Sequence, residues 1–140
     1  MSDGSPLEIA RQFLATIECA DFDACLPLLA EDAVMIFPYS PPGLPKRCDG
    51  RAEFETTIRG IFSAIERFAW HDLDLHAAAD DPELVFGTGR SEALTKTLAP
   101  YSNQYCFVFR IRHGLMIEYR EFFDPLPVLA VFGALLDARA

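Results

Sequence analysis

Tyr119 and Glu121 stand two residues apart in the segment 115–123, which follows the tight turn Arg112-His113-Gly114 and reads as a strand. Alternation along a strand puts Leu115, Ile117, Tyr119, Glu121 and Phe123 on one face. A carboxyl set among apolar rings loses hydration, and its pKa rises toward neutrality. Such a group can give or take a proton near pH 7, which is what general acid–base catalysis needs. Glu121 is therefore the candidate catalytic residue, with Tyr119 beside it as a ligand contact. The competing assignment is a brace, in which Glu121 pairs with Arg90 or Arg51 and does no chemistry.

On the preceding strand Asn103, Tyr105, Phe107 and Phe109 share one alternation phase. Asn103 and Tyr105 are candidates for orienting a ligand carbonyl or hydroxyl, although Tyr105 could equally be a core aromatic with its hydroxyl tied to backbone. Tyr39 opens the Pro-rich stretch 39–45, at a place suited to a pocket lip. His71 and His76 are five apart, so a regular strand turns them to opposite faces and they cannot share a metal. Asp72 and Asp74 share a face that reads as solvated or facing another subunit. Cys19, Cys25, Cys48 and Cys106 contain no C-x-x-C pair, and the three histidines complete no zinc pattern. Free, mostly buried thiols follow, and no metal or other cofactor is expected.

The elements that must position these residues are legible in outline. Ser5-Pro6-Leu7-Glu8 has the residues of a helix start, and Ile9, Phe13, Leu14 and Ile17 recur at helical spacing after it. A short second helix runs from Asp21 through Leu29, and a strand from Ala33 to Phe37. A third helix begins at Gly50-Arg51, carries Phe54, Ile58, Ile61, Phe62, Ile65 and Phe68 on one stripe, and ends near Ala69. Strands follow at 70–79, 84–94, 101–112 and 115–123, with Asp80-Asp81-Pro82-Glu83 as a hairpin turn. Gly87 and Gly89 imply a bulge or strong curvature. Asp124 precedes Pro125 and caps a closing helix over 128–136. Strands grouped after helices predict an α+β fold, one domain over residues 1–140, with the helices on one face of an antiparallel sheet.

Composition narrows the partners. Twelve basic against 21 acidic residues give a net charge of −9, which repels phosphate backbones and anionic lipid, so neither nucleic acid nor membrane is an expected partner. The N-terminal residues lack the basic-then-apolar pattern of a signal peptide, and a cytoplasmic location is expected. Twelve Phe, four Tyr and one Trp suit a concave site lined with rings.

Two local signatures carry a family resemblance: Glu18-Cys19-Ala20-Asp21-Phe22-Asp23-Ala24 followed by Leu28-Leu29-Ala30-Glu31-Asp32-Ala33-Val34, and Tyr101-Ser102-Asn103-Gln104-Tyr105 with Tyr119-Arg120-Glu121-Phe122-Phe123-Asp124-Pro125. With the element order, they resemble the nuclear transport factor 2-like superfamily, most closely its SnoaL-like polyketide-cyclase branch and the phenazine-biosynthesis A/B proteins. The resemblance implies a cone-shaped curved sheet with helices on its concave face, and a homodimer formed through the convex face that carries Val108, Arg110 and Arg120. It puts Glu121 on the pocket-lining face, where phenazine-type relatives have a functional Glu, while the His those relatives carry on helix three corresponds to Thr57. Ketosteroid isomerases of this superfamily use a carboxylate base, a Tyr and a protonated Asp. The matching positions are Phe37, Phe13 and Phe107, which can neither abstract nor donate a proton, so that machinery is absent. The three rings either line the cavity or plug it.

Two functions are compatible with these readings. One is a cofactor-independent isomerase, cyclase or dehydratase acting on a small, largely apolar molecule through Glu121. The other is a non-catalytic binding or scaffold dimer. An open cavity beside a Glu121 free of arginine favours the first, and an arginine-locked Glu121 without a cavity favours the second.

Overall fold

The computed structural model describes residues 4–137. Helix α1, Pro6–Glu18, starts where Ser5 Oγ accepts the Glu8 N–H at 3.2 Å, and it buries Ile9, Phe13, Leu14 and Ile17 along one stripe. Ala20 then takes a left-handed conformation, and Asp21 caps the short α2, Phe22–Cys25. The single element expected from Asp21 to Leu29 is thus divided. Pro27 cannot donate to an α-helical ladder, and the chain tightens into a 3-10 turn at Leu26–Leu28.

Strands β1 (Leu29–Ile36), β2 (Arg47–Asp49), β3 (Ile65–Ala77), β4 (Leu84–Thr95), β5 (Pro100–Arg112) and β6 (Leu115–Phe123) form one sheet in the order β2-β1-β6-β5-β4-β3. Every neighbouring pair is antiparallel except β1 and β6, which run parallel, so the α+β fold has a mixed sheet. The short β2 pairs Val34 with Asp49 and closes the Pro-rich loop into a hairpin. Helix α3, Arg51–Phe62, packs between β1 and β3. Helix α4, Pro125–Asp137, lies against β5, and its first turn is capped by Asp124 Oδ1, which accepts the Leu126 N–H at 3.0 Å.

Three differences from the sequence expectation matter for the site. Helix α3 ends at Phe62, not near Ala69; Ser63 Oγ bonds back to the Gly60 carbonyl at 2.6 Å, and Ile65 and Phe68 pass onto β3. In β3 a bulge between His71 and Asp74, with Asp72 at φ 56°, inserts one residue. His71 pairs across from Arg90 and His76 from Phe86, so the bulge brings both histidines to one face. They bind separate carboxylates there, Glu92 at 3.3 Å and Asp74 at 2.9 Å. A second register shift, where Arg110 pairs with Glu118 but Ile111 with Met116, buries Met116 and leaves Leu115 outside the phase of Tyr119 and Glu121.

Gly87 and Gly89 lie on β4, opposite the bulge. A Cβ at Gly89 would stand 2.6 Å from Leu73 Cδ2 and 3.3 Å from Phe107 Cε2. The two glycines therefore let Leu73, Leu75 and Phe107 close over the strand and curve the sheet. No helix among the described residues is long and apolar enough to cross a membrane.

Candidate functional site

The curved sheet, α1, α3 and α4 enclose a cavity of about 180 Å³. Trp70 anchors one wall to α1: its indole N–H donates to the Leu14 carbonyl at 2.9 Å, and its backbone N–H donates to Glu18 Oε2 at 2.7 Å. The indole then stands edge-on to Tyr105, with centroids 5.1 Å apart, and to Phe107 at 5.5 Å. Phe62 and Phe68 extend this wall, and Phe13, Phe37 and Phe54 also line the cavity. Val128, Phe132 and Leu136 of α4 cover the cavity with Ser40, Leu44 and Pro45 of the loop. Loop and helix meet closely at Gly43. A Cβ on Gly43, whose φ is +98°, would lie 3.0 Å from the Leu136 carbonyl oxygen.

Polar groups gather at one place in this apolar shell. Tyr119 donates its hydroxyl to Glu121 Oε1 at 2.6 Å. Glu121 is surrounded by protein and accessible only in part, as a cavity-lining group. Burial pushes its pKa up to about 7, against the lowering effect of the Tyr119 bond. The phenol of Tyr119 is driven well above its ordinary range, first by burial and then by the Glu121 charge. Burial likewise raises Tyr105 and Tyr101, on which the Glu121 charge also acts. All three tyrosines are hydroxyl donors at neutral pH, and Glu121 is the group that can change its protonation there.

Among the described residues no arginine braces Glu121. Arg90 binds Asp72 at 2.7 Å and Glu92 at 2.9 Å, and Arg51 donates to the Leu29 carbonyl at 3.4 Å. Among the described residues no ion pair reaches the Glu121 carboxyl, and no cluster of His, Cys, Asp and Glu could hold a metal. On the outer face Arg110 is engaged by Asp81 and Glu83, and Arg120 by Glu118.

The fold thus brings Phe13, Phe37, Tyr105, Tyr119 and Glu121 together around the cavity. Three expected contacts stand elsewhere. Tyr39 is 55% exposed and packs on Phe122, whose side chain alternates away from Glu121, so it forms no lip. Phe107 is wholly buried behind Trp70 and Tyr119 and acts as a plug. Asn103 is buried behind the wall, where it bonds to Tyr101 and to the backbone of Asp124. Tyr101, which shares the phase of Asn103 and Tyr105, also lines the cavity, as does Trp70, which belongs to β3 and not to a helix–strand boundary. The α4 residues carry no signal of this role in their sequence, because it comes only from docking. Thr57 also lines the cavity, and its hydroxyl accepts from the Cys48 thiol at 3.6 Å.

Residues 10–119 match the model of the SnoaL-like domain. The chain is 29% identical to the uncharacterized protein YesE of Bacillus subtilis, over 90% of this chain and 86% of that protein. It is also 29% identical to an uncharacterized PhzA/B-like protein of Pseudomonas aeruginosa, over 90% and 89% of the two chains. Among solved structures, a candidate isomerase from Bacillus subtilis superposes with a TM-score of 0.81 at 30% identity, covering 90% of this chain and 91% of that one. A candidate polyketide cyclase from Xanthomonas campestris shares the fold, with a TM-score of 0.76 at 19% identity over 89% and 94% of the chains.

Proposed function

The chain belongs to the SnoaL-like domain family, and on that premise we propose that it is a cofactor-independent acid–base enzyme of the isomerase, cyclase or dehydratase kind. Its substrate is a small, largely apolar ring compound. The observation that carries this reading is the Glu121 carboxyl, set in the cavity wall with no cation on it among the described residues and with a pKa of about 7. A dry apolar cavity of about 150 Å³ takes up benzene, so 180 Å³ suits one ring, with room for part of a second.

The chemistry follows from the protonation states. Near pH 7 about half of the molecules hold Glu121 as carboxylate, the form able to take a proton. It removes a proton from a carbon next to a ligand carbonyl. The C–H electron pair moves into the new carbon–carbon double bond, and the carbonyl π pair moves onto oxygen. A nearby tyrosine hydroxyl supports that oxygen. Glu121, now protonated, returns the proton to another carbon for isomerisation or to a leaving hydroxyl for dehydration. Tyr119 holds Oε1, and Oε2 is the oxygen left to exchange the proton.

Deuterium uptake at the acidic C1 position of 2-tetralone, followed by NMR in D2O, tests the proton-transfer step without the native substrate. Wild type should accelerate uptake and Glu121→Gln should not. Equal rates in the two proteins would refute the assignment. Wild type that binds 2-tetralone but does not accelerate uptake would identify a binding module.

A further inference from the structure

Asn103 does not line the cavity, yet its hydrogen bonds determine what the cavity offers a ligand. Its Oδ1 accepts two backbone N–H groups, Gln104 at 2.8 Å and Asp124 at 3.0 Å. A flipped amide would point its NH2 at both donors, so this orientation is fixed. Nδ2 accordingly donates to the Asp124 carbonyl at 2.9 Å and to Tyr101 Oη at 2.7 Å. An amide NH2 cannot accept a hydrogen bond. Tyr101 is therefore the acceptor in that contact, and its own proton must point away from Asn103. Two directions remain, toward Tyr105 or into the cavity that Tyr101 lines. Tyr105 shares a hydrogen bond with Ser91 at 2.8 Å, but its oxygen has a second lone pair and can hold the Tyr101 proton until a ligand oxygen in the cavity competes for it.

We infer that Asn103 is a positioning residue that turns the Tyr101 proton away from itself and leaves it for a cavity ligand to recruit, so that the site selects neutral ring compounds bearing an acceptor oxygen, such as ketones and enones, over hydrocarbons of the same shape. The inference rests on the cavity being a small-molecule site. It concerns binding alone, so it stands or falls separately from turnover by Glu121.

The chain's one tryptophan, Trp70, lines the cavity and reports binding by its fluorescence. The probes are 2-tetralone and tetralin, which differ by the carbonyl oxygen. The quantity read is the ratio of their dissociation constants, compared between proteins so that the probes' unequal hydration cancels. Tyr101→Phe should lower the preference for 2-tetralone about tenfold, the worth of one hydrogen bond inside a protein. Asn103→Asp should lower it similarly once the new carboxyl is ionised, because a carboxylate draws the Tyr101 proton to itself. A merely structural Asn103 would weaken both probes alike and leave the ratio unchanged. An unchanged ratio in Tyr101→Phe, or in Asn103→Asp at a pH where the new carboxyl is ionised, overturns the inference. If Asn103→Asp fails to fold, the Asn103 side-chain amide resonances of wild type decide: they should move with 2-tetralone and stay with tetralin, and equal movement overturns the inference.

Discussion

Replacing Glu121 by Gln should stabilise the protein in mild alkali and leave its stability nearly unchanged in acid. The native carboxyl has a pKa of about 7, against 4.5 for the free group. At about 1.4 kcal/mol per pH unit, that difference amounts to about 3 kcal/mol. Below pH 4.5 the group is protonated in the folded and unfolded states alike and costs nothing. Between pH 4.5 and 7 the unfolded chain releases a proton that the folded chain keeps, so stability declines as pH rises. Above pH 7 both states are ionised and the full cost is present. Gln is neutral and retains an oxygen for the Tyr119 hydroxyl, so the variant lacks this decline. Urea unfolding of both proteins at pH 4, 6, 7 and 8.5 measures the difference directly. Taking the difference cancels the other titrating groups, including Glu83, whose pKa is lowered by its bonds to Arg112 and Arg110. The variant should gain about 3 kcal/mol at pH 8.5, roughly 10 °C in melting temperature for a chain of this size. A difference that is constant with pH, or a variant less stable at pH 8.5, would refute the claim that burial controls this carboxyl.

Two further outcomes test the frame and the thiols. Gly87→Ala should cost about 3 kcal/mol, because a Cβ there collides with the Asp74 carbonyl and lies 2.6 Å from Leu75 Cδ2; a loss in thermal unfolding below about 0.5 kcal/mol would show that β3 can yield. Cys19 and Cys106 are exposed, whereas Cys25 and Cys48 are buried with raised pKa values, Cys25 at about 11. Ellman's reagent should therefore titrate two thiols quickly in the native protein and the other two only on unfolding, and four fast thiols would contradict the burial.

Where periodicity and local chemistry determine structure, the sequence was readable. The alternation of β5 buries Tyr101, Asn103, Tyr105, Phe107, Phe109 and Ile111 in turn, and Ser5 and Asp124 cap the helices that follow them. The failures share a physical origin. An inserted residue leaves no mark on a polar–apolar pattern, so the bulge at Asp72 sent His76 to the wrong face on paper. Apolar residues at 58, 61, 62, 65 and 68 satisfy a helical stripe, although the last two belong to a strand. The three-residue β2 is too short to carry any period and exists because β1 offers it an edge. Tyr39 was placed by its distance along the chain from β1, but which side of a loop faces a cavity depends on how the loop docks.

The aromatic wall and the acid–base group depend on each other. At Phe13 and Phe37 the resemblance to ketosteroid isomerases places a donor and a base, and here both rings stand in the cavity wall and pack on Tyr119, with centroids 4.9 and 6.2 Å away. A hydroxyl at either position would hold water next to Glu121 and bring its pKa back toward 4.5. At that value Glu121 would be almost wholly ionised at pH 7 and a poor acid for the return step. The rings that remove one catalytic apparatus thus supply the low polarity that the proposed one requires. The same desolvation that puts Glu121 near neutrality is what makes it costly to the fold. Catalytic competence and the stability cost in mild alkali should therefore vanish together in any variant that wets this wall.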